Sequence, residues 1–530
     1  MLNRRSFLRT AGVAGTAAVI APARVFAQPC GLQAAYFGLH HFIESNPEAV
    51  FIMRTNVDVK TNAGAKLAAG RDFARSVLMA RDVPGIPVGN SVVFKPNLTC
   101  RARSHASYTV ERSMGIVTDV YFVEGLIERL VELGVTASKI CVREVNCYED
   151  FSDGGYMALA TRTGIDVSNV SASVSSTPAS KLVWKDVPNG TWFQRIPYVW
   201  PVGAADSWLV NVAKLKAHSM GITLCAKNLQ GSVASPYVSH CKKYNVSMGI
   251  PASDYRSDAF TVIQNNWQRR VNQGLPRWDR PGLTGGLWQE TWGSRCLDNN
   301  STLKAGLHVI EGIYGRDGNF MDGPSAEGLA TDYMTNVIIF GLNPFHVDTI
   351  GTWIAGHEPG NFGLFHMAIE RGLSAFLDPA TIPLYEWTAG GTATRRELSA
   401  FQRTPLKTLY LRKDYNGGTE DLYHMVDEPF EYPTSVAAPP PLPSRVVLRP
   451  NYPNPFNGGT SIEFQLPGSG DVRIDVLDLF GQTVDRIAEG RFAPGVHLVR
   501  WDASRVASGT YFCRMSFAGW TSVRRMTVLR

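Results

Sequence analysis

Six of the eighteen residues from 428 to 445 are proline, and this stretch divides the chain into two unlike parts. Proline fixes φ and removes a backbone donor, so a run of this density is a stiff, extended linker that neither helix nor sheet can absorb. Beyond it, over residues 446–530, apolar and polar residues alternate in short runs. Ile462, Phe464 and Leu466 form one, Val472, Ile474 and Val476 another, followed by Val499 with Trp501 and Tyr511 with Cys513. A period of two, broken by Gly, Pro, Asn and Asp, predicts a small all-β, Ig-like sandwich. Before the linker, over 28–427, short apolar runs alternate with stripes of helical period. Strands are predicted over 91–94, 139–145, 207–212, 307–310 and 336–340, and helices over 119–133, 154–163 and 347–355. In the first helix Val120, Val123, Leu126, Ile127 and Leu130 share one face, with Thr118 or Asp119 suited to the N-cap and Gly134 to the stop. This order predicts an α/β domain, a largely parallel sheet with helices on both faces. Residues 255–303 carry Trp267, Trp278, Trp288 and Trp292 without a clear period and read as an insertion or lid.

The chain's 530 residues are 44% hydrophobic, yet no apolar run approaches the roughly 20 residues of a membrane-spanning helix. Residues 1–27 have the three-part layout of a leader. Arg4, Arg5 and Arg9 precede an apolar run from Ala11 to Ala23, and Val25-Phe26-Ala27 offers a small-x-small cleavage site. Arg4-Arg5 followed by Phe7-Leu8 resembles the twin-arginine export signal, which implies the twin-arginine translocase as a partner and passage through the periplasm. The formal charge of +6 comes largely from this leader. Without it 48 basic residues face 46 acidic ones, a balance with no electrostatic footprint for nucleic acid. None of the eight cysteines forms a C-x-x-C, so iron–sulfur and zinc-ribbon spacings are absent. Cys141 and Cys147 could pair locally or remain buried thiols.

Ligands of open parallel sheets bind beyond the carboxyl ends of the strands. The predicted strands deliver Lys95 and Asn97, then Glu144, then Lys214, Lys216 and His218, then Glu311, with Asp348 opening the last helix. The densest segment adds Lys227, Asn228, Gly231 and His240. Closely spaced lysines suit a small anionic ligand, with Gly231 letting backbone come near it, and Lys227 or His218 could move a proton. His218 and His240 are alternative ligands for a metal ion. A solvated basic loop is the plainer account. No G-x-S-x-G, H-E-x-x-H, P-loop or G-x-G-x-x-G signature occurs, so the common hydrolase, kinase and dinucleotide assignments have no support.

Two resemblances emerge from longer motifs. Lys95-Pro96-Asn97-Leu98, the run from Val210 to His218, Ala226-Lys227-Asn228-Leu229-Gln230-Gly231, Glu311-Gly312-Ile313 and the run from Gly341 to Asp348 together resemble the DUF362 family, a domain of unknown function, over roughly residues 90–360. That family often occurs with ferredoxin modules, whose cysteines this chain lacks. Asn451-Tyr452-Pro453-Asn454-Pro455-Phe456-Asn457, Asp478-Leu479-Phe480-Gly481, Trp501-Asp502 and the closing Arg525-Met526-Thr527-Val528-Leu529 resemble the C-terminal sorting domain of type IX secretion cargo, similar also to the FlgD-like Ig domain. This implies the type IX machinery as a partner and a place at the cell surface or outside the cell.

Overall fold

The structure is a computed structural model that describes residues 35–82, 84–98, 115–145, 150–170, 173–218, 220–238, 249–274, 286–319, 323–325, 328–410, 423–432, 445–468, 470–492 and 495–529. The leader at 1–27, most of the proline-rich stretch and His240 lie outside them.

Among the described residues ten strands before the linker share one sheet: β1 (Val50–Arg54), β2 (Ser91–Pro96), β3 (Ile140–Glu144), β4 (Asp166–Asn169), β5 (Ser207–His218), β6 (Leu307–Arg316), β7 (Asp332–Gly341), β8 (Leu384–Trp387), β9 (Ala393–Arg395) and the short Gly221–Thr223, which pairs back on the end of β5 alone. After it come β10 (Val447–Leu448), β11 (Gly459–Leu466), β12 (Gly470–Leu477), β13 (Thr483–Phe492), β14 (Gly495–Asp502), β15 (Gly509–Phe517) and β16 (Trp520–Val528). The main sheet runs β10-β11-β14-β9-β8-β1-β7-β6-β5-β2-β3-β4. From β6 to β4 every pairing is parallel, as expected, but β7 runs against both β6 and β1. The sheet is therefore mixed though mostly parallel, and the chain beyond β7 leaves from the opposite edge to that of Glu144 and Glu311.

The predicted helices form as α2 (Val120–Glu132), α3 (Tyr156–Thr163) and α7 (Pro344–Ile354). Asp119 caps α2 by accepting the Tyr121 N–H at 3.0 Å. Alongside α2 lies α1 (Ala63–Val77). The two approach backbone to backbone: a Cβ on Gly70 would stand 2.3 Å from Phe122 O, and one on Gly125 would stand 2.5 Å from the Gly70 carbonyl carbon. Only glycine permits that contact. Between α3 and α7 lie α4 (Cys225–Asn228), α5 (Ala259–Asn272) and α6 (Gly286–Thr302).

One expectation changes, one alternative is decided and one region gains detail. Within 255–303 the described residues form two helices, α5 and α6, where the sequence showed no clear period; Trp292 is buried with Met220, Ala226 and Cys296, and Trp278 lies outside the described residues. Cys141 is a buried free thiol, and Cys147 lies outside the described residues. The C-terminal region has two antiparallel sheets, but one continues the main sheet through an Ala393–Leu498 pairing. The other, β13-β12-β15-β16, is separate. Residues 428–432 are packed on the core: Asn361 Nδ2 donates to Glu428 O at 2.6 Å and Phe430 lies against His366. No helix of the described residues is long and apolar enough to cross a membrane.

Candidate functional site

Strand β5 organises the site by simple alternation. Val210 and Val212 join the core under α2, whereas Ala213, Leu215 and Ala217 join the core on the other side. Lys214 therefore leaves the sheet on one face and Asn211 on the other. The buried charges form two networks, one per face.

On the Asn211 face, Asn211 stands beside Lys95 of β2. Lys95 Nζ donates to Glu144 Oε2 at 2.5 Å, to Pro96 O at 2.7 Å and to Asn228 Oδ1 at 3.1 Å. Glu144 also accepts the N–H groups of Leu98 at 3.1 Å and Val145 at 2.7 Å. Asn228 Nδ2 donates to Lys95 O at 2.9 Å and to Asn211 Oδ1 at 2.8 Å. Burial pulls the Lys95 pKa down and pushes that of Glu144 up, and each opposes the other's shift by pairing. Gly231 is close to this pair rather than open to a ligand: its Cβ would fall 1.7 Å from Glu144 Oε1. Asn97 is buried, its backbone joined to Thr118 through both N–H and C=O.

On the other face Lys214 Nζ donates to both Glu311 oxygens, at 3.0 and 2.8 Å, and lies 3.4 Å from the centre of the Tyr314 ring. Glu311 accepts the N–H groups of Asp119 and Ile313, each at 3.1 Å. Asp119 in turn takes Lys66 Nζ at 2.6 Å and the Tyr314 hydroxyl at 3.0 Å. Burial raises the Glu311 and lowers the Lys214 pKa, and the nearby Asp119 raises both. Lys66, Asp119, Tyr314, Asn211 and His308 belong to these networks and were missed as candidates. Only Asp119, as a helix cap before an apolar stripe, carried a local signal.

Where β5 ends, Lys216, His218 and Lys227 come together. Lys216 Nζ donates to Ile116 O at 2.5 Å. His218 Nδ1 accepts the Met220 N–H at 2.9 Å, so in the neutral ring Nε2 carries the proton. Burial first, then the charges of Lys227 and Lys216, hold its pKa well below the ordinary value. Lys227 is 7% exposed, and its charge also depresses Lys95. Among the described residues it has no hydrogen bond and no acid. It sits on α4, whose first N–H groups, Cys225 and Ala226, donate to the Asp348 carboxylate at 2.7 and 2.8 Å. Asp348 thus anchors the turn that carries Lys227 and does not face the cluster; burial pushes its pKa up to about 7.

Ten of the predicted residues meet at one edge: Lys95, Asn97, Glu144, Lys214, Lys216, His218, Lys227, Asn228, Gly231 and Glu311. Four of them are spent on internal pairs, Lys95 with Glu144 and Lys214 with Glu311. For the metal alternative, His218 Nδ1 is taken by the Met220 N–H and His240 is outside the described residues. Among the described residues no group of three or more His, Cys, Asp or Glu side chains is placed to hold a metal ion.

Residues 92–353 match the model of a domain of unknown function, DUF362. Residues 451–528 match the secretion system C-terminal sorting domain. No curated protein matches the chain. The sorting domain points to the type IX secretion machinery as a partner and to the cell surface or the outside of the cell as the destination.

Proposed function

From a chain that joins a DUF362 domain to a type IX sorting tail, we propose an exported protein whose core binds a small anion at the carboxyl edge of its sheet, with Lys227 as the charge that holds it. One observation carries the reading. Lys95 and Lys214, both fully buried, have their own carboxylates, whereas Lys227, only 7% exposed, has none among the described residues. An ion taken out of water costs several kcal/mol unless something pairs it. A carboxylate or phosphate group supplies that partner. His218 stands close enough to feel the Lys227 charge, and the hydrogen-bonded Asn228 fixes the turn that carries Lys227. In this reading Lys95, Glu144, Lys214 and Glu311 position the edge rather than touch the ligand.

The leader fits such a passenger. Arg4-Arg5 would direct an already folded core through the twin-arginine translocase, and the tail would then pass it across the outer membrane. Replacing both arginines by lysine should leave the protein in the cytoplasm.

Calorimetric titration of the mature chain with inorganic phosphate tests the site. Lys227→Met should weaken binding at least tenfold, while Lys181→Met, whose lysine lies over the Trp200 ring away from this edge, should not change it. Equal phosphate affinity in wild type and Lys227→Met would refute the assignment, as would no binding to either.

A further inference from the structure

At the opposite edge of the sheet a cleft of about 210 Å³ opens between β6, the end of α6 and the start of α7. Its walls include Leu303, Leu342 and Phe345, with Lys304 at the rim, His308 inside and Asn300 just behind. At about 30 Å³ per water, it has room for about seven waters or a ligand of similar size.

Two polar groups, one open to the cleft and one just behind its wall, have no partner among the described residues. The first is His308, 2% exposed. Its tautomer is dictated from the far side of the sheet. Lys95 O can only accept, so Asn228 presents its NH2 there and to Asn211 Oδ1. Cys225 O also can only accept, so Asn211 turns its NH2 toward it, at 2.8 Å, and toward His308 Nδ1, at 3.0 Å. His308 Nδ1 is therefore the acceptor and Nε2 carries the hydrogen. Burial, then the charge of Lys304, lowers its pKa to about 3, so the ring remains neutral. Among the described residues Nε2–H has no acceptor. The second group is Asn300. Its NH2 is used by Ala226 O at 2.9 Å and Cys296 O at 2.8 Å, and its Oδ1 has no donor.

We propose that this cleft is a second ligand site, for a short-chain monocarboxylate. Its carboxylate meets His308 Nε2–H and Lys304 Nζ, and its hydrocarbon lies on Leu303, Leu342 and Phe345. Glu48 also lines the cleft and carries a negative charge, which favours a monoanion over a doubly charged phosphate. The α7 N-terminus adds little, because Asn343 Oδ1 already accepts from Phe345 and His346. The site stands independently of the Lys227 edge.

Calorimetry with butyrate, butylammonium and inorganic phosphate on the mature chain carrying Lys227→Met, which removes the other anion site, tests the proposal. Butyrate should bind and butylammonium should not. Adding Lys304→Met or His308→Phe should weaken butyrate binding at least tenfold. The imidazole Nε2–H signal of His308 should shift on titration. Lys304 stands at the rim, so Lys304→Met remains informative if His308→Phe fails to fold. The site is overturned if butyrate does not bind in the Lys227→Met background, or if adding Lys304→Met leaves its affinity unchanged. Binding of butylammonium as tight as that of butyrate, or displacement of butyrate by equimolar phosphate, overturns the ligand class.

Discussion

Gly231 and Glu144 are so close that a methyl group cannot come between them: a Cβ on Gly231 would stand 1.7 Å from Glu144 Oε1 and 2.9 Å from Lys95 Cε. The glycine is needed for space, so the carboxylate can keep its ammonium. Gly231→Ala should push Glu144 off Lys95 and destabilise the protein by about 2–4 kcal/mol, the range for disturbing a buried ion pair. In a Glu144→Ala background the same substitution should cost little, because the obstacle is gone. Urea unfolding of the four variants measures the coupling. Additive effects would show that Gly231 serves something other than this carboxylate.

Lys227 and Lys214 should respond in opposite ways to removal. Lys227→Met deletes a largely buried lysine that has no acid among the described residues, so the empty protein should gain about 1–2 kcal/mol while phosphate binding is lost. That gain, read as a higher urea midpoint at unchanged slope, separates a lysine kept for a ligand from one kept for the fold. A loss of stability would mean that Lys227 is structural.

Lys214→Met strands Glu311 among Asp119 and Tyr314, and it should cost about 3–5 kcal/mol. The double change Lys214→Met with Glu311→Gln should recover part of this, since the orphaned charge is removed. The same urea titrations read it, and a double variant no better than the single one would argue against the pair as the source of the cost.

Much of this arrangement was legible in the residues themselves. The α2 stripe, the Lys-Pro-Asn end of β2 and the Lys-rich end of β5 occur where their periods place them, because each is a local pattern buried on the expected side. Direction was not legible. Nothing local to 332–341 says that β7 turns back against β6, and that reversal separates the start of α7 from the edge bearing Glu311. Nor was α1, whose inner face carries Lys66, Ala69, Gly70 and Ser76 as well as Phe73 and Val77, and so lacks a clean apolar stripe. Partnership was the larger gap. Lys95, Lys214 and Lys227 look alike in sequence, and only folding shows that two have a glutamate within 3 Å while the third has none among the described residues.

The junction between the main sheet and the C-terminal region should depend on pH through His40. Its Nε2 lies 3.2 Å from Ser461 Oγ on β11, and its ring meets the Trp387 indole edge-on at 5.2 Å. Burial, then the charges of His41, Arg500 and Arg81, lowers its pKa from 6.5 to about 3. His41, stacked on it, is lowered to about 4 by burial and Arg81. The nearest acid on this side, Glu44, is already paired with Arg81. A depressed folded-state pKa means that the released imidazole binds a proton which the docked one refuses. The contribution is complete above pH 6.5 and falls as pH drops toward 3. Between pH 6.5 and 5 the docked arrangement should lose about 2 kcal/mol through His40 alone. Small-angle scattering of the mature chain should show a larger radius of gyration at pH 5 than at pH 7.5. His40→Gln, which keeps a hydrogen-bonding group near Ser461 but cannot titrate, should remove most of the change. An equal expansion in that variant would place the pH response elsewhere.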